Sequence, residues 1–427
     1  MKQSKYNVIK EVQNGFVLYN SKTDALILLQ PELKNLLDKC NEQPELLAQK
    51  HPSFYRHLVD LNFLVPDEVD ESEELIQRMI QEDASTGSFE LTINTTLDCN
   101  LRCWYCYEQH KKGTKIDGTV MNSIKKLIQQ KLQNSETKHF CLSFFGGEPL
   151  MVYQDTIKPL TDFSLDLCKS LKKTMSLGIT SNATLLTQES ICDFTSWASQ
   201  ITVSWQITLD GNREWHNKTK KTERNEGTYE QVLHHVQKLL ENGQYVTLRL
   251  NYTQSNLLSF YDVLDDLTHR KINTLDKLQI SFQQVWQETD ISGTEIEEVK
   301  KAYKKEGFRI LPGKFNQKQR CYANRPNSLV INYDGTVFKC TAQDFTWNSK
   351  EGILDQKGTV HLNETFRKRM ENKYKNQACR SCIIFPLCAG GCSQKHLQLS
   401  DRCIMGFNKE DKEKIIQERI QYIADVN

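Results

Sequence analysis

Fourteen cysteines in 427 residues are the groups in this chain best suited to do chemistry, and they are unevenly placed. Cys99, Cys103 and Cys106 form one tight group with spacing x3 and x2. Seven more follow as Cys321-x13-Gly335-x4-Cys340, then Cys379-x2-Cys382-x5-Cys388-x3-Cys392, then Cys403. Cys40, Cys141, Cys168 and Cys192 stand alone. Three thiolates on a short loop can converge on one centre, and thiolates select soft or borderline metals, as iron–sulfur clusters or zinc. A zinc ion could complete its shell with His110. In a four-iron cluster, three cysteines leave one iron without a protein ligand, where a small molecule can bind. Seven thiols in a loop-rich segment read as two metal centres of about four ligands each, either clusters or zinc sites. Disulfides suit this chain less well, because it is neither short nor equipped with an export signal.

The elements that must position these groups alternate between strand and helix. From about residue 89, strand patterns at 90–94, 140–145, 177–181, 202–208, 246–252 and 278–283 are separated by amphipathic helices. The clearest helix carries Tyr229, Val232, Val236, Leu239 and Leu240 on one face, with Gly243 placed to end it. Six such alternations predict an α/β fold with a parallel sheet, either open and doubly wound or curved into a partial (β/α)6 barrel. Ligands bind such folds at the C-terminal strand ends. The first cysteine group follows the first strand, Gly146-Gly147-Glu148-Pro149 the second, Ser181-Asn182 the third and Asp210-Gly211 the fourth. Taken singly, a Gly-Gly turn or an Asp-Gly pair is a common loop feature.

Residues 1–88 read as a small mixed unit. Apolar runs at 15–19 and 25–29 flank a turn-prone stretch, Pro31 opens a helix, a second helix covers 54–61 and a short strand 63–65. This order suits a winged-helix-like module. After about residue 310 the alternation fades into the cysteine-rich segment, closed by a helix with Ile416, Ile420 and Ile423 on one face. The expected domains are 1–88, 89–310 and 311–427. Cys141 reads as a small core hydrophobe, and His234-His235 as structural or solvent-facing.

Lys and Arg number 55 against 54 Asp and Glu, so a net charge of +1 gives no electrostatic case for nucleic acid or an anionic membrane. No apolar run approaches the roughly 20 residues of a membrane span. With no apolar segment behind the basic start, the expected location is the cytoplasm.

TLDCNLRCWYCYE, carrying Cys99, Cys103 and Cys106, resembles the CxxxCxxC signature of radical S-adenosylmethionine (SAM) enzymes, with Tyr105 as the aromatic before the third cysteine. FFGGEPL at 144–150 resembles that family's GGEP turn, TSNATLLT at 180–187 its TNGTLLT segment with Ala183 for glycine, and ITLDG at 207–211 its SLDG. The resemblance implies a [4Fe–4S] cluster on the three cysteines whose open iron chelates SAM. Electron transfer then yields a 5′-deoxyadenosyl radical that abstracts substrate hydrogen. It implies SAM contacts at Tyr105, Gly146, Gly147, Glu148, Ser181, Asn182 and Thr208. The seven later cysteines resemble the SPASM extension, which implies two auxiliary [4Fe–4S] clusters. Cys379, Cys382, Cys388 and Cys403 would hold the second, and Cys321, Cys340 and Cys392 the first. No cysteine stands at 310–320, so the first lacks a fourth thiolate: either a non-cysteine group caps it or one iron is open, and an open iron available to a substrate donor is the expectation.

Within this family two reactions compete. Sulfatase-maturating enzymes, which oxidise Cys or Ser to formylglycine, carry an aspartate after the Gx4C cysteine, where this chain has Thr341. The family's arginine after the DG…H stretch is also replaced here, in HNKTKK. Peptide maturases, which form thioether, carbon–carbon or ether crosslinks in ribosomally made precursors, are the favoured reading. Their N-terminal winged-helix-like elements bind leader peptides by strand addition, a role open to 1–88. A flavodoxin- or ferredoxin-type reductant is expected. The contrasting class is a non-enzymatic iron–sulfur electron-transfer protein. No catalytic base is identifiable.

Overall fold

The computed structural model describes residues 1–222, 226–288, 293–313, 315, 320–397 and 401–426. At the N-terminus come β1 (Lys2–Gln3), β2 (Asn7–Val12), β3 (Gly15–Asn20), β4 (Leu26–Leu29), α1 (Pro31–Lys39), α2 (Glu45–Lys50), α3 (Pro52–Asp60), β5 (Leu64–Val65) and α4 (Glu71–Asp83). Strands β2, β3 and β4 make an antiparallel sheet in that order, and β1 pairs with β5. Pro31 stands at the start of α1, where its missing N–H costs nothing. An acidic stretch starts α4. Asp70 caps it by accepting from the backbone N–H groups of Ser72 and Glu73, with Glu71, Glu73 and Glu74 in the first turn.

The strand–helix alternation follows as β6 (Ser88–Asn94), α5 (Gly118–Gln133), β7 (His139–Phe145), α6 (Lys158–Ser170), β8 (Thr174–Ser181), α7 (Gln188–Ala198), β9 (Thr202–Leu209), α8 (Arg213–Thr219), α9 (Tyr229–Glu241), β10 (Tyr245–Tyr252), α10 (Phe260–His269), β11 (Leu278–Gln284) and α11 (Gly293–Lys305). Strands β6 to β11 are all parallel, in consecutive order. The sheet then continues past β6 through β12 (Ser328–Asn332), β13 (Thr336–Phe338), β14 (Gly352–Leu354) and β15 (Val360–Leu362). Of these β12 is parallel to β6 and the rest are antiparallel. The region beyond 310 is therefore partly sheet, not loop throughout. Helices α12 (Glu364–Asn372), α13 (Gln377–Arg380), α14 (Phe385–Cys388) and α15 (Lys409–Val426) end the chain. Among the described residues, no helix is long and apolar enough to cross a membrane.

The parallel strands alternate strictly. Phe89, Leu91 and Ile93, then Phe140, Leu142 and Phe144, then Val203, Trp205 and Ile207 are buried against the helices in one core. The opposite face carries Thr92, Asn94, Ser143, Ser176, Gln206, Thr208, Arg249 and Asn251. A doubly wound sheet would be apolar on both faces; this one reserves a polar face, and its strand ends lead into the candidate site. Cys141 lies on that polar face, with its Sγ 3.9 Å from Ser143 Oγ, and so is not a core hydrophobe. Cys168 does belong to the main core, Cys40 to the N-terminal one, and Cys192 is exposed.

Two compact units result. One comprises 85–311 and 325–366; the other comprises 1–84, 312–324 and 367–427. In the second unit the N-terminal elements and the cysteine-rich segment share their cores. Val17 and Tyr19 pack with Ile384, Leu387, Ile415 and Ile416, while Tyr6, Leu75, Ile76 and Met79 pack with Phe385. Ile420 and Ile423 of α15 join the first of these cores.

Candidate active site

The loop after β6 carries the first three cysteines and is anchored by its own polar side chains. Thr96 Oγ1 donates to Thr114 O (2.6 Å), and Asp98 accepts from the backbone N–H groups of Cys99 and Gly113 (2.8 Å each). Cys106 N–H donates to Cys103 O, closing the turn between the second and third thiols. The Leu101 N–H points at Cys99 Sγ (3.4 Å), a donor suited to a thiolate. Burial pushes the Cys99 thiol up to about 12 and Cys103 to about 11, and Cys99 senses both Cys103 and Cys106. Three thiols thus gather on one partly buried loop, where burial favours their protonated form unless a cation draws the protons off. Cys106 Sγ is 3.6 Å from His110 Nε2. Among the described residues no three His, Cys, Asp or Glu side chains stand close enough to hold a single metal ion. The donor set, three soft ligands on one loop with backbone N–H support, fits an iron–sulfur cluster.

The Gly-Gly turn after β7 presses directly on this loop. A Cβ on Gly146 would lie 1.3 Å from Asn94 Oδ1, and one on Gly147 would lie 2.0 Å from Asp98 O. Both residues also have positive φ, +87° and +47°, so side chains are excluded twice over. Glu148 is 1% exposed, and its carboxylate is fully engaged by the chain itself. It accepts from Leu150 N–H (3.0 Å), Ser181 Oγ (2.7 Å) and Asn182 N–H (2.8 Å), while burial raises its pKa. The ends of β7 and β8 are stapled through this one side chain. Asn182 Nδ2 donates to Asn100 Oδ1 (2.9 Å) and sits 4.0 Å from Cys99 Sγ, so the third strand end also braces the cysteine loop. Ala183, which stands where glycine is usual, has φ +60° and is fully buried. Its carbonyl accepts from His235 Nδ1 (2.6 Å), which gives that histidine a structural role.

At the end of β9 lies a pair that the sequence does not disclose. Lys220, 1% exposed, donates to Thr208 O (2.9 Å) and to the Thr208 hydroxyl, and its ammonium is 3.7 Å from Asp210 Oδ2. Asp210 Oδ1 accepts from Tyr105 Oη (2.7 Å) and Asn251 Nδ2 (3.1 Å). Cys103 feels the charges of both Lys220 and Asp210, so the pair lies beside the thiols. Its only sequence signal was the polar residue type at Lys220 within HNKTKK. A cavity of about 280 Å3 opens here, lined by Trp104, Tyr105, Asp210, Asn251, Thr253 and Val285. Tyr107 stacks on Trp286 (5.1 Å between ring centres) and donates to Thr341 O (3.1 Å), so the first cysteine loop reaches the residue after Cys340.

The other unit holds Cys321, Cys379, Cys382, Cys388, Cys392 and Cys403, while Cys340 lies in the unit of the parallel sheet. Four of the six converge: the Cys379 thiol, pushed up to about 12 by burial, senses Cys388, Cys382 and Cys403 together. Asn376 makes this possible, accepting from Cys379 N–H at the start of α13 and donating to Arg402 O (2.9 Å), next to Cys403. Ala389, Gly390 and Gly391 all have positive φ and turn the chain sharply between Cys388 and Cys392.

Residues 93–276 match the model of the radical SAM superfamily. Over 330 residues, 69% of this chain and 85% of the relative, the sequence is 22% identical to the cysteine-type anaerobic sulfatase-maturating enzyme of Clostridium novyi (strain NT). Native anSMEcpe with bound AdoMet and Cp18Cys peptide is similar with a TM-score of 0.57 at 16% identity, covering 79% of this chain and 97% of that one. Streptococcus suis SuiB bound to precursor peptide SuiA is similar with a TM-score of 0.51 at 14% identity, covering 95% of this chain and 100% of that one. At such identities these two structures speak to the fold.

Proposed function

The chain is a radical SAM enzyme, with its radical SAM domain at 93–276, and from that premise we propose that it matures a ribosomally made precursor peptide by forming an intramolecular crosslink. When bound, a [4Fe–4S] cluster and SAM supply a reductively generated carbon radical able to take hydrogen from an unactivated side chain. Cys99, Cys103 and Cys106 are the cluster ligands, with the Leu101 N–H supporting the first thiolate. Tyr105, Asp210 and Asn251 fix the loop and line the cavity beside it. Lys220 and Thr208 present a buried cation and a hydroxyl to a ligand carboxylate. Since the Glu148 carboxylate is occupied within the turn, Gly146, Gly147 and Glu148 offer an ammonium their backbone carbonyls. Ser181 and Asn182 hold the neighbouring strand end in register.

Cys379, Cys382, Cys388 and Cys403 hold one auxiliary cluster. Cys321, Cys340 and Cys392 are assigned to the other on their spacing alone, with an open iron for a substrate donor. A flavodoxin- or ferredoxin-type protein supplies the electron.

The observation that carries peptide maturation is the extent of the likeness. The fold of SuiB runs through 95% of this chain, beyond the 79% covered by anSMEcpe. We assign the leader-binding role to the N-terminal sheet and helices. Edge strand β4 has one neighbour, and its Leu28 is 55% exposed, so a leader strand can add there. Because 1–84 shares its core with the cysteine-rich segment, a point change tests this better than a deletion. Leu28→Asp is expected to weaken precursor binding while SAM cleavage proceeds unchanged; full-strength binding would refute the docking site.

Thr341 in place of an aspartate speaks against formylglycine formation, although the likeness to a sulfatase-maturating enzyme keeps that product as the second reading. Mass spectrometry of an incubated precursor decides. Loss of two hydrogens marks a crosslink, whereas a Cys or Ser turned to aldehyde marks sulfatase maturation. A reconstituted chain that releases no 5′-deoxyadenosine under dithionite would instead be an electron-transfer protein.

A further inference from the structure

Lys373 is a buried cation without an ion pair of its own among the described residues, and Asp83, the carboxylate whose charge reaches it, is shared with Arg320. Lys373 is 2% exposed, and its Nζ has one hydrogen-bond partner, the Tyr374 hydroxyl, at a long 3.4 Å. Nearby, Arg320 is also largely buried, with a side chain 12% exposed, and it takes the one buried carboxylate present, Asp83. The remaining Arg320 contacts are the Met79 carbonyl, the Tyr374 hydroxyl and Glu82, whose side chain is 54% exposed. Asp83 is thus shared between two cations in the interior, and the second carboxylate on Arg320, Glu82, lies at the surface. An ammonium removed from water without a counter-charge is strongly unfavourable, so a fold that keeps one is built around an anion.

The position of Lys373 points to that anion. Its stem packs along the turn between Cys388 and Cys392: a Cβ on Gly390 would meet Lys373 Cε at 3.6 Å. The charges of Asp83, Cys321 and Cys388 all reach it, against that of Arg320. Cys388 is one of the four thiols that converge with Cys379, Cys382 and Cys403. A four-thiolate cluster is anionic when oxidised and gains one more negative charge when an electron enters it. A fixed neighbouring ammonium favours the more negative state, more so in a dry interior than in water.

We propose that Lys373 is the internal counter-ion of the cluster held by Cys379, Cys382, Cys388 and Cys403, and that it holds this cluster's reduction potential up. Asp83 works in the opposite direction by cancelling part of the local positive charge through Arg320. The inference rests on the assignment of those four cysteines to a cluster. Lys373 is a positioning charge, not a ligand, and touches no substrate.

The test is a dithionite titration of the anaerobically reconstituted full chain, followed by electron paramagnetic resonance. Lys373→Met keeps most of the unbranched stem and removes the charge, and should move one cluster's midpoint to a more negative potential. Lys373→Arg should leave it near the parent value, and Asp83→Asn should move it to a more positive one. An unchanged midpoint in Lys373→Met with full iron content overturns the proposal, as does an equal shift in Lys373→Arg. If Lys373→Met does not fold, Asp83→Asn decides, and a midpoint that stays or falls overturns it. A Cys379→Ala/Cys382→Ala chain that keeps the parent's iron and sulfide counts would refute the cluster assignment itself.

Discussion

Tyr105 Oη donates a 2.7 Å hydrogen bond to Asp210 Oδ1, tying the residue before the third clustered cysteine to the end of the fourth parallel strand. The same carboxylate oxygen accepts from Asn251 Nδ2 (3.1 Å), at the end of the fifth. Removing the phenol leaves a buried acceptor short of a donor, which costs about 1–3 kcal/mol. Tyr105→Phe is therefore expected to lower anaerobic urea stability by that amount and to speed iron loss to a chelator. A stability within about 0.5 kcal/mol of the parent, the range of an ordinary surface change, would contradict it.

On its other oxygen Asp210 faces Lys220 across 3.7 Å, with side chains 3% and 2% exposed. Breaking a buried pair strands a charge, so Lys220→Met should cost about 3–5 kcal/mol. The double change Lys220→Met/Asp210→Asn removes the stranded charge and should recover part of the loss. Urea midpoints of the two variants check this, and a double variant no more stable than the single one would count against the pair.

Gly147→Ala is expected to disturb the cysteine loop, because its Cβ would lie 2.0 Å from the carbonyl oxygen of Asp98, the residue before Cys99. The loss should exceed about 3 kcal/mol, the scale of severe overpacking. Gly113→Ala is the control, with φ +72° but open space around it, and should cost only the left-handed backbone term of about 1–2 kcal/mol. Iron content after reconstitution separates them: low in the first, near the parent in the second.

His216 gives a pH signature. It is fully buried between the Asp210 N–H and the Thr228 hydroxyl, and burial, reinforced by Lys220, holds its pKa well below 6.5. The folded chain keeps this ring neutral while the unfolded chain protonates it below pH 6.5. Its contribution is therefore complete above that pH and is lost as pH falls, by about 1.4 kcal/mol per unit. Urea midpoints at pH 7.5 and 5.5 should drop more for the parent than for His216→Gln; equal drops would refute the assignment.

The six parallel strands were legible because an apolar face packed on helices imposes a period of two that survives in the sequence; each lies within three residues of its expected bounds. Strands β13 to β15, three residues each, were not, since so short a segment carries no period. Lys220 was invisible for a related reason. Its neighbours Lys218 and Lys221 are exposed, and composition alone cannot tell which lysine of such a run turns inward.

The sequence by itself determined which thiols stand close enough along the chain to share one centre, because the spacing of cysteines on a short loop is a local property. It also determined the order of the turns at the strand ends. Only the tertiary structure decided what those turns do: that Glu148 staples two strand ends, that Asp210 and Lys220 form a buried pair, and that Cys403 comes to Cys379 through Asn376. It also decided that the first 84 residues share a core with the last 61, leaving Lys373 buried without an ion pair of its own among the described residues. Burial and charge balance are set by residues far apart in the chain, and no local pattern records them.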